Sequence, residues 1–252
     1  MDRRSTTSFS IEIAAARLSF SGQELFHDLA LTLAGGVFTC LLGPSGVGKT
    51  TLLRLIVGLA PKGATARVRC SDGEPLEGRL AYMAQQDLLL PWLSVRENLL
   101  LGSRLRRAPP DFERAHALLE SVGLERQAGE RPATLSGGMR QRAALARTLM
   151  ENRPVLLMDE PFAALDAITR HRLQTLAARR LAGRTILLVT HDPMEALRLG
   201  ERIIVMSGRP ASLDEVPVPP GAIPRDPTDP AVRDGHGPLL HQLERADREA
   251  AG

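Results

Sequence analysis

Phe9, Ile11 and Ile13 alternate with polar or small residues, a period of two that predicts a half-buried strand. Leu29, Leu31 and Leu33 repeat the pattern. After Gly35-Gly36, residues 37–42 form a compact apolar run that stops at Gly43, as a strand buried on both faces would. Residues 50–59 then read as a helix closed by Gly58 and Pro61. Short apolar runs at 155–158, 185–189 and 203–206 are interleaved with helical stretches at 167–181 and 194–199. Strands alternating with helices predict an α/β domain with a largely parallel sheet.

The middle of the chain has a different period. From about residue 86 to 150 no segment reads convincingly as a strand. Phe112, Ala115, Leu118 and Leu119 line one helical face, which ends near Gly123. Met139, Ala143, Ala146, Leu149 and Met150 line another at spacings of three and four. These residues predict an all-helical insertion (86–150) within an α/β core formed by 1–85 and 151–213. Residues 214–252 begin with Pro217, Pro219, Pro220, Pro224, Pro227 and Pro230, and the expectation is an extended tail.

Composition narrows the classes. A chain of 252 residues with 43% hydrophobic and 24% charged positions has enough apolar surface for a sizeable core, which excludes disorder as the main state. Lys+Arg 32 against Asp+Glu 29 leaves a net charge of +3, too balanced to argue for nucleic acid. Only Lys49 and Lys62 are lysines, so the other basic residues are arginines and a lone arginine carries little weight. Cys40 and Cys70 make neither a disulfide framework nor a metal cluster, and Cys40 sits in an apolar run. The start, Met1 to Ser5, is polar rather than an apolar signal core, and no stretch approaches the ~20 apolar residues of a membrane span. A water-soluble chain in a reducing compartment is expected, with any membrane role supplied by a partner.

Gly43-Pro44-Ser45-Gly46-Val47-Gly48-Lys49-Thr50 fits G-x-x-x-x-G-K-[ST] and lies between a predicted buried strand and a predicted helix. Glycines let successive backbone N–H groups point into one concavity, and a helix N-terminus adds partial positive charge. Lys49 would bridge the β- and γ-phosphates, and the Thr50 hydroxyl would ligate Mg²⁺. A glycine-rich turn with a surface lysine is the plainer alternative, but it must explain why one of two lysines falls here. Residues 155–158 run into Asp159 and Glu160. A carboxylate at the carboxyl end of a strand beside a phosphate loop is where Mg²⁺ needs a negative partner, and the next acid can reach a water in line with the γ-phosphate. Leu135-Ser136-Gly137-Gly138-Met139 opens the second helical face; Ser136 suits an N-cap and the glycines expose N–H donors.

LSGGMRQR followed by VLLMDEP strongly resembles the signature segment of the ATP-binding cassette (ABC) ATPases. The resemblance covers nearly all of residues 9–210 in family order. It implies a P-loop NTPase (RecA-like) core, an antiparallel β-subdomain and an inserted helical subdomain. It implies that Gln85, six positions before Pro91-Trp92, senses Mg²⁺ and the partner subunit. It also implies that Thr51 joins the nucleotide contacts, that Asp166 belongs to a D-loop, and that His191 contacts the γ-phosphate. Phe20 falls where an aromatic stacks on adenine; ordinary core packing is the alternative. Met139 replaces the family's commoner glutamine, which removes one side-chain contact and leaves the serine and glycine donors.

The resemblance further implies two copies paired head to tail, each presenting Ser136, Gly137 and Gly138 to the other's ATP, with Glu160 polarising the attacking water. LLLPWLSVREN and DEPFAALD look most like importers of nitrate, sulfonates, taurine or pyrimidine precursors. Such systems pair the ATPase with integral membrane permease subunits and a solute-binding protein, which implies a peripheral place on the cytoplasmic face of the membrane. An exporter or division-associated ABC ATPase shares the same motor and is the alternative. Residues 88–93 read either as an exposed patch fit for a partner's helix or as core of the insertion.

Overall fold

The structure is a computed structural model that describes residues 8–251 except 21 and 22; the side chains of Phe20 and Ala251 lie outside that description, as do residues 1–7 with the polar start. In chain order the strands and helices are β1 (Ile11–Phe20), β2 (Gln23–Leu33), β3 (Phe38–Leu42), α1 (Lys49–Ile56), β4 (Thr65–Cys70), β5 (Leu80–Met83), α2 (Val95–Leu105), α3 (Phe112–Ser121), α4 (Gly137–Met150), β6 (Val155–Asp159), α5 (Ala167–Leu181), β7 (Thr185–Val189), α6 (Pro193–Leu199), β8 (Arg202–Ser207), β9 (Ser212–Val216) and α7 (Pro230–Ala251).

Two sheets share the molecule. β2-β1-β4 is antiparallel, and the larger sheet runs β5-β6-β7-β3-β8-β9, parallel except where β9 pairs antiparallel with β8. β3, β6 and β7 are buried at every position, which explains their unbroken apolar sequences. Alternation divides their side chains between two cores. Leu41, Leu157, Leu187 and Ile204 join α1 and the small sheet in one cluster. Cys40, Leu156, Leu188 and Val205 join the helices in the other. Burial pushes the Cys40 thiol far up, so it packs as a small hydrophobe.

The segment from residue 86 to 150 contains helices and two short 3-10 turns and no strand among the described residues, as its sequence predicts. α2 was not evident from the pattern. Ser94 caps it with Glu97 in a reciprocal capping box. On α3, Ala115, Leu118 and Leu119 are buried, but Phe112 is exposed at the first turn, so it leaves the face on which its spacing put it.

The anticipated extended tail needs correction. β9 completes the large sheet, residues 217–229 are irregular, and α7 then packs on α6 and β8. Pro230 is tolerated because a first-turn residue has no intrahelical bond to lose. Val232, Leu239, Leu243 and Ala246 form a stripe at helical spacing that buries against the core.

Residues 88–93 split between the two readings. Leu89 and Leu93 are buried, whereas Leu88 is 58% and Trp92 65% exposed. Asn98, fully buried, fixes this turn: its Oδ1 accepts from Leu90 N at 2.8 Å, and its Nδ2 donates to the carbonyls of Leu90, Leu93 and Ser94 at 3.0–3.3 Å. Asn98→Ala would leave the Leu90 N–H and the Leu93 carbonyl without their partner and should lower the unfolding free energy by about 2 kcal/mol or more. Urea denaturation measures it, and a loss below about 0.5 kcal/mol would contradict this role.

Candidate functional site

The carboxyl ends of β3, β6 and β7 open onto one edge of the large sheet, because their parallel register sets Leu41 opposite Val189 and Val189 opposite Asp159. Gly43 leaves β3 there, Asp159 and Glu160 end β6, and Thr190-His191 follow β7. In open α/β sheets this edge is where ligands bind.

Residues 43–50 form a loop that only glycine fits at its critical points. A Cβ on Gly43 would sit 2.4 Å from the Met206 carbonyl oxygen. Gly48 has φ +113, and a Cβ there would meet the Phe26 ring at 2.8 Å. Val47 is buried between them, while Ser45 and Gly46 turn outward. α1 then starts with Gly48 at its N-cap and no side chain accepting from its first turn. Ser94, Asp111, Ser136, Asp166 and Asp192 do accept at the starts of α2, α3, α4, α5 and α6. The first turn of α1, with Thr50 and Thr51, is therefore the helix end left without a built-in acceptor among these six, and it suits an anion.

The Lys49 ammonium folds back over the loop, donating to the carbonyls of Gly43 at 2.7 Å and Pro44 at 2.8 Å. Burial lowers its pKa, and the charges of Glu160 and Asp159 oppose that. Asp159 is almost wholly buried, and its Oδ2 has no hydrogen-bond partner among the described residues. Burial raises its pKa, the Thr50 hydroxyl beside it pulls the other way, and Glu160 adds repulsion. An orphaned buried carboxylate oxygen beside a hydroxyl is a donor set suited to a hard divalent cation.

Glu160 adopts the left-handed region at φ +49. Its N–H donates to the Val189 carbonyl at 2.9 Å and its carbonyl accepts from Gln141 Nε2 at 3.1 Å. Its Oε1 lies 3.1 Å from His191 Nδ1. This backbone posture fixes the carboxylate between the sheet edge and the start of β7's loop; such outliers concentrate at functional sites.

The other sequence candidates lie around this centre. Gln85 is exposed in the bend just past β5, next to the end of β6. Ser136 caps α4 by accepting from Met139 N at 3.3 Å, and it and Gly137 are exposed. A Cβ on Gly138 would press on the Ala164 carbonyl oxygen at 3.2 Å, so α4 lies close against the 164–166 loop. Among the described residues no hydrogen bond joins 136–138 to 43–51. Asp166 caps α5 by accepting from Thr169 N at 3.0 Å, which lowers its pKa. Phe20 ends β1, with its side chain outside the described residues.

Sequence reasoning missed several neighbours. A cavity of about 500 Å³ beside Gly46 and Thr51 is lined by Leu18, Gln23, Leu25, Arg54 and Arg209. Behind Glu160 and His191, Arg170 on α5 and Glu195 on α6 line a second, small cavity. Arginine usage this heavy hides Arg54, Arg170 and Arg209, and no local pattern marks a buried glutamate.

A profile of the ABC transporter family matches residues 26–163. The chain is 44% identical over 224 residues to an uncharacterised ABC transporter ATP-binding protein of Haemophilus influenzae, covering 86% of this chain and 91% of that one. It is 41% identical over 253 residues to the aliphatic sulfonates import ATP-binding protein SsuB 2 of Burkholderia cenocepacia, covering 96% and 90%. Against SsuB of Delftia acidovorans the identity is 44% over 228 residues, covering 89% and 90%. Among solved structures, the dimeric post-hydrolysis state of the ATP-binding cassette MJ0796 bound to ADP and Pi superposes with a TM-score of 0.69 at 30% identity, covering 77% of this chain and 93% of that one.

Burial pushes the Glu195 carboxyl up to about 7, with hydrogen bonds from Thr190 and Gln174 and the charge of Arg170 opposing and Asp192 reinforcing. A carboxyl that titrates higher in the fold than in the unfolded chain favours the fold at low pH, and that contribution is lost as pH rises through 7. The melting temperature of the wild type should therefore fall more between about pH 5 and pH 8 than that of Glu195→Gln. A wild-type profile no steeper than the variant's would contradict the burial argument.

Proposed function

The chain belongs to the ABC transporter family and is one of its ATPases, and on that premise we propose that two copies, paired head to tail, hydrolyse ATP to drive uptake of a small solute through a membrane permease. The observation that carries this reading is the pairing of an anion-ready helix end at α1 with a buried, unpartnered carboxylate oxygen at the end of the neighbouring β6.

In this reading the amides of residues 43–51 hold the ATP phosphates, and Lys49 exchanges the Gly43 and Pro44 carbonyls for β- and γ-phosphate oxygens. The cavity lined by Leu18, Leu25 and Arg54 receives the base. Thr50, Asp159 and Gln85 would hold Mg²⁺, which when bound neutralises phosphate charge. Glu160 orients and polarises the attacking water. His191, 3.1 Å from the Glu160 carboxylate, donates to the γ-phosphate and keeps Glu160 aimed.

Ser136, Gly137 and Gly138 supply donors to the γ-phosphate of the other copy. Support comes from the exposure of Ser136 and Gly137 and from the absence, among the described residues, of a hydrogen bond from 136–138 to the chain's own phosphate loop. Ile168, 84% exposed two residues after Asp166, is an apolar side chain that a second copy would cover. ATP bridges the copies only while its γ-phosphate lasts, so hydrolysis reopens them.

Leu88 and Trp92 form the permease contact. Arg140 pairs with Asp87 at 3.1 Å, and Arg147 donates to the carbonyls of Asp87 and Leu88 at 2.7 Å, so motion of α4 reaches that patch directly. No described helix is long and apolar enough to cross a membrane, and the permease supplies the path. The chain then sits on the cytoplasmic face, a solute-binding protein acts indirectly, and the sulfonate importers among its relatives point to an organic sulfonate or a similar small anion as cargo.

Glu160→Gln should form a stable dimer with ATP, seen by size-exclusion chromatography, with turnover reduced at least about a hundredfold. Hydrolysis at the parental rate would remove Glu160 from its role. In mild detergent the wild-type chain should co-purify with an integral membrane protein; purely soluble partners would contradict the transport reading.

A further inference from the structure

We infer that Glu195 is a positioning residue for His191, acting through Thr190 at one end of a buried polar relay whose other end is fastened by the C-terminal segment. The inference rests on the placement of His191 at the γ-phosphate proposed above.

Both neighbours of His191 are held by the relay. The Thr190 hydroxyl donates to Glu195 Oε2 and accepts from the Asp192 N–H at 3.1 Å. Asp192 in turn caps α6, accepting from Met194 N at 2.9 Å and Glu195 N at 3.3 Å, and pairs with Arg170 at 3.6 Å. Glu195 Oε1 accepts from Gln174 Nε2 at 3.1 Å, and Gln174 Oε1 accepts from Arg198 Nη1 at 2.8 Å. The chain continues through the backbone: Arg225 N donates to the Arg198 carbonyl at 2.9 Å, and its guanidinium donates to the carbonyls of Leu197 at 2.9 Å and Gly200 at 2.7 Å.

Thr190, Gln174, Glu195, Arg198 and Arg225 are all buried. Apolar side chains would join α5 to α6 at lower desolvation cost, so a relay this polar is not needed for adhesion alone. Its geometry supplies direction instead. Rigid at the Arg225 end and bonded to both flanks of a histidine that is itself 63% exposed, it limits where the imidazole can swing relative to Glu160. The helix α6 acts as the rigid bar between the C-terminal segment and the site.

Steady-state and single-turnover ATP hydrolysis by the full chain tests this with Glu195→Ala, Thr190→Val, Thr190→Ser, Arg225→Ala and His191→Ala. Glu195→Ala and Thr190→Val should each lower kcat about tenfold with KM for ATP within about twofold, and Arg225→Ala should show a weaker loss of the same kind. Thr190→Ser, which keeps the hydroxyl, should restore most of the rate. Combining Glu195→Ala with Thr190→Val, or with His191→Ala, should cost no more than the worse single change. Multiplying losses in those pairs, or a parental kcat in Glu195→Ala, would overturn the relay. A parental rate in His191→Ala would instead overturn the placement of His191 on which the relay depends.

Discussion

The first turn of α1 presents backbone N–H groups that no side chain of its own accepts from, and the rest of the structure is arranged around that fact. Five other helices start on a serine or aspartate that closes the end. α1 starts on Gly48, whose φ of +113 and contact with the Phe26 ring exclude any side chain. Glycine at the cap leaves the N–H groups aimed outward and adds no competing acceptor. The large sheet then brings Asp159, Glu160 and His191 to the same edge, because its parallel strands end level.

One ammonium and two carboxylates meet at this edge. Lys49 sits among Asp159, Glu160 and the loop carbonyls; burial lowers its pKa, and the charges of Glu160 and Asp159 oppose that pull. Asp159 is buried with one oxygen unsatisfied, a cost of about 1–3 kcal/mol that a bound cation would relieve. Glu160 is held by its own backbone and by Gln141 from α4, so the helix that carries Ser136 and the carboxylate beside His191 move as neighbours. The same helix grips residues 87–88 through Arg140 and Arg147. One helix, α4, therefore joins the sheet edge at Glu160 to residues 87–88, where the exposed Leu88 lies.

Much of this was legible in the sequence because the deciding signals are local. The apolar runs of β3, β6 and β7 need no partner to be recognised, and residues 43–50 carry their own spacing. Weaker elements were not legible. β4 alternates between exposed and partly buried positions and includes Arg67 and Arg69, so its hydrophobic signal is faint. α7 is masked by the prolines before it and by Pro238 within it, although its stripe at 232, 239, 243 and 246 is regular. The relay was invisible for a different reason. Glu195 and Gln174 lie 21 residues apart, Arg225 and Leu197 28 apart, and a buried glutamate on a short helix has the same sequence signature as an exposed one.

Hydrogen–deuterium exchange on the full chain with and without Mg-ATP reads the amides at the start of α1 themselves. Peptides spanning residues 43–53 should gain strong protection with nucleotide in the wild type and almost none in Lys49→Ala. ATP binding that leaves the exchange of those amides unchanged would show that the phosphates are held away from the start of α1.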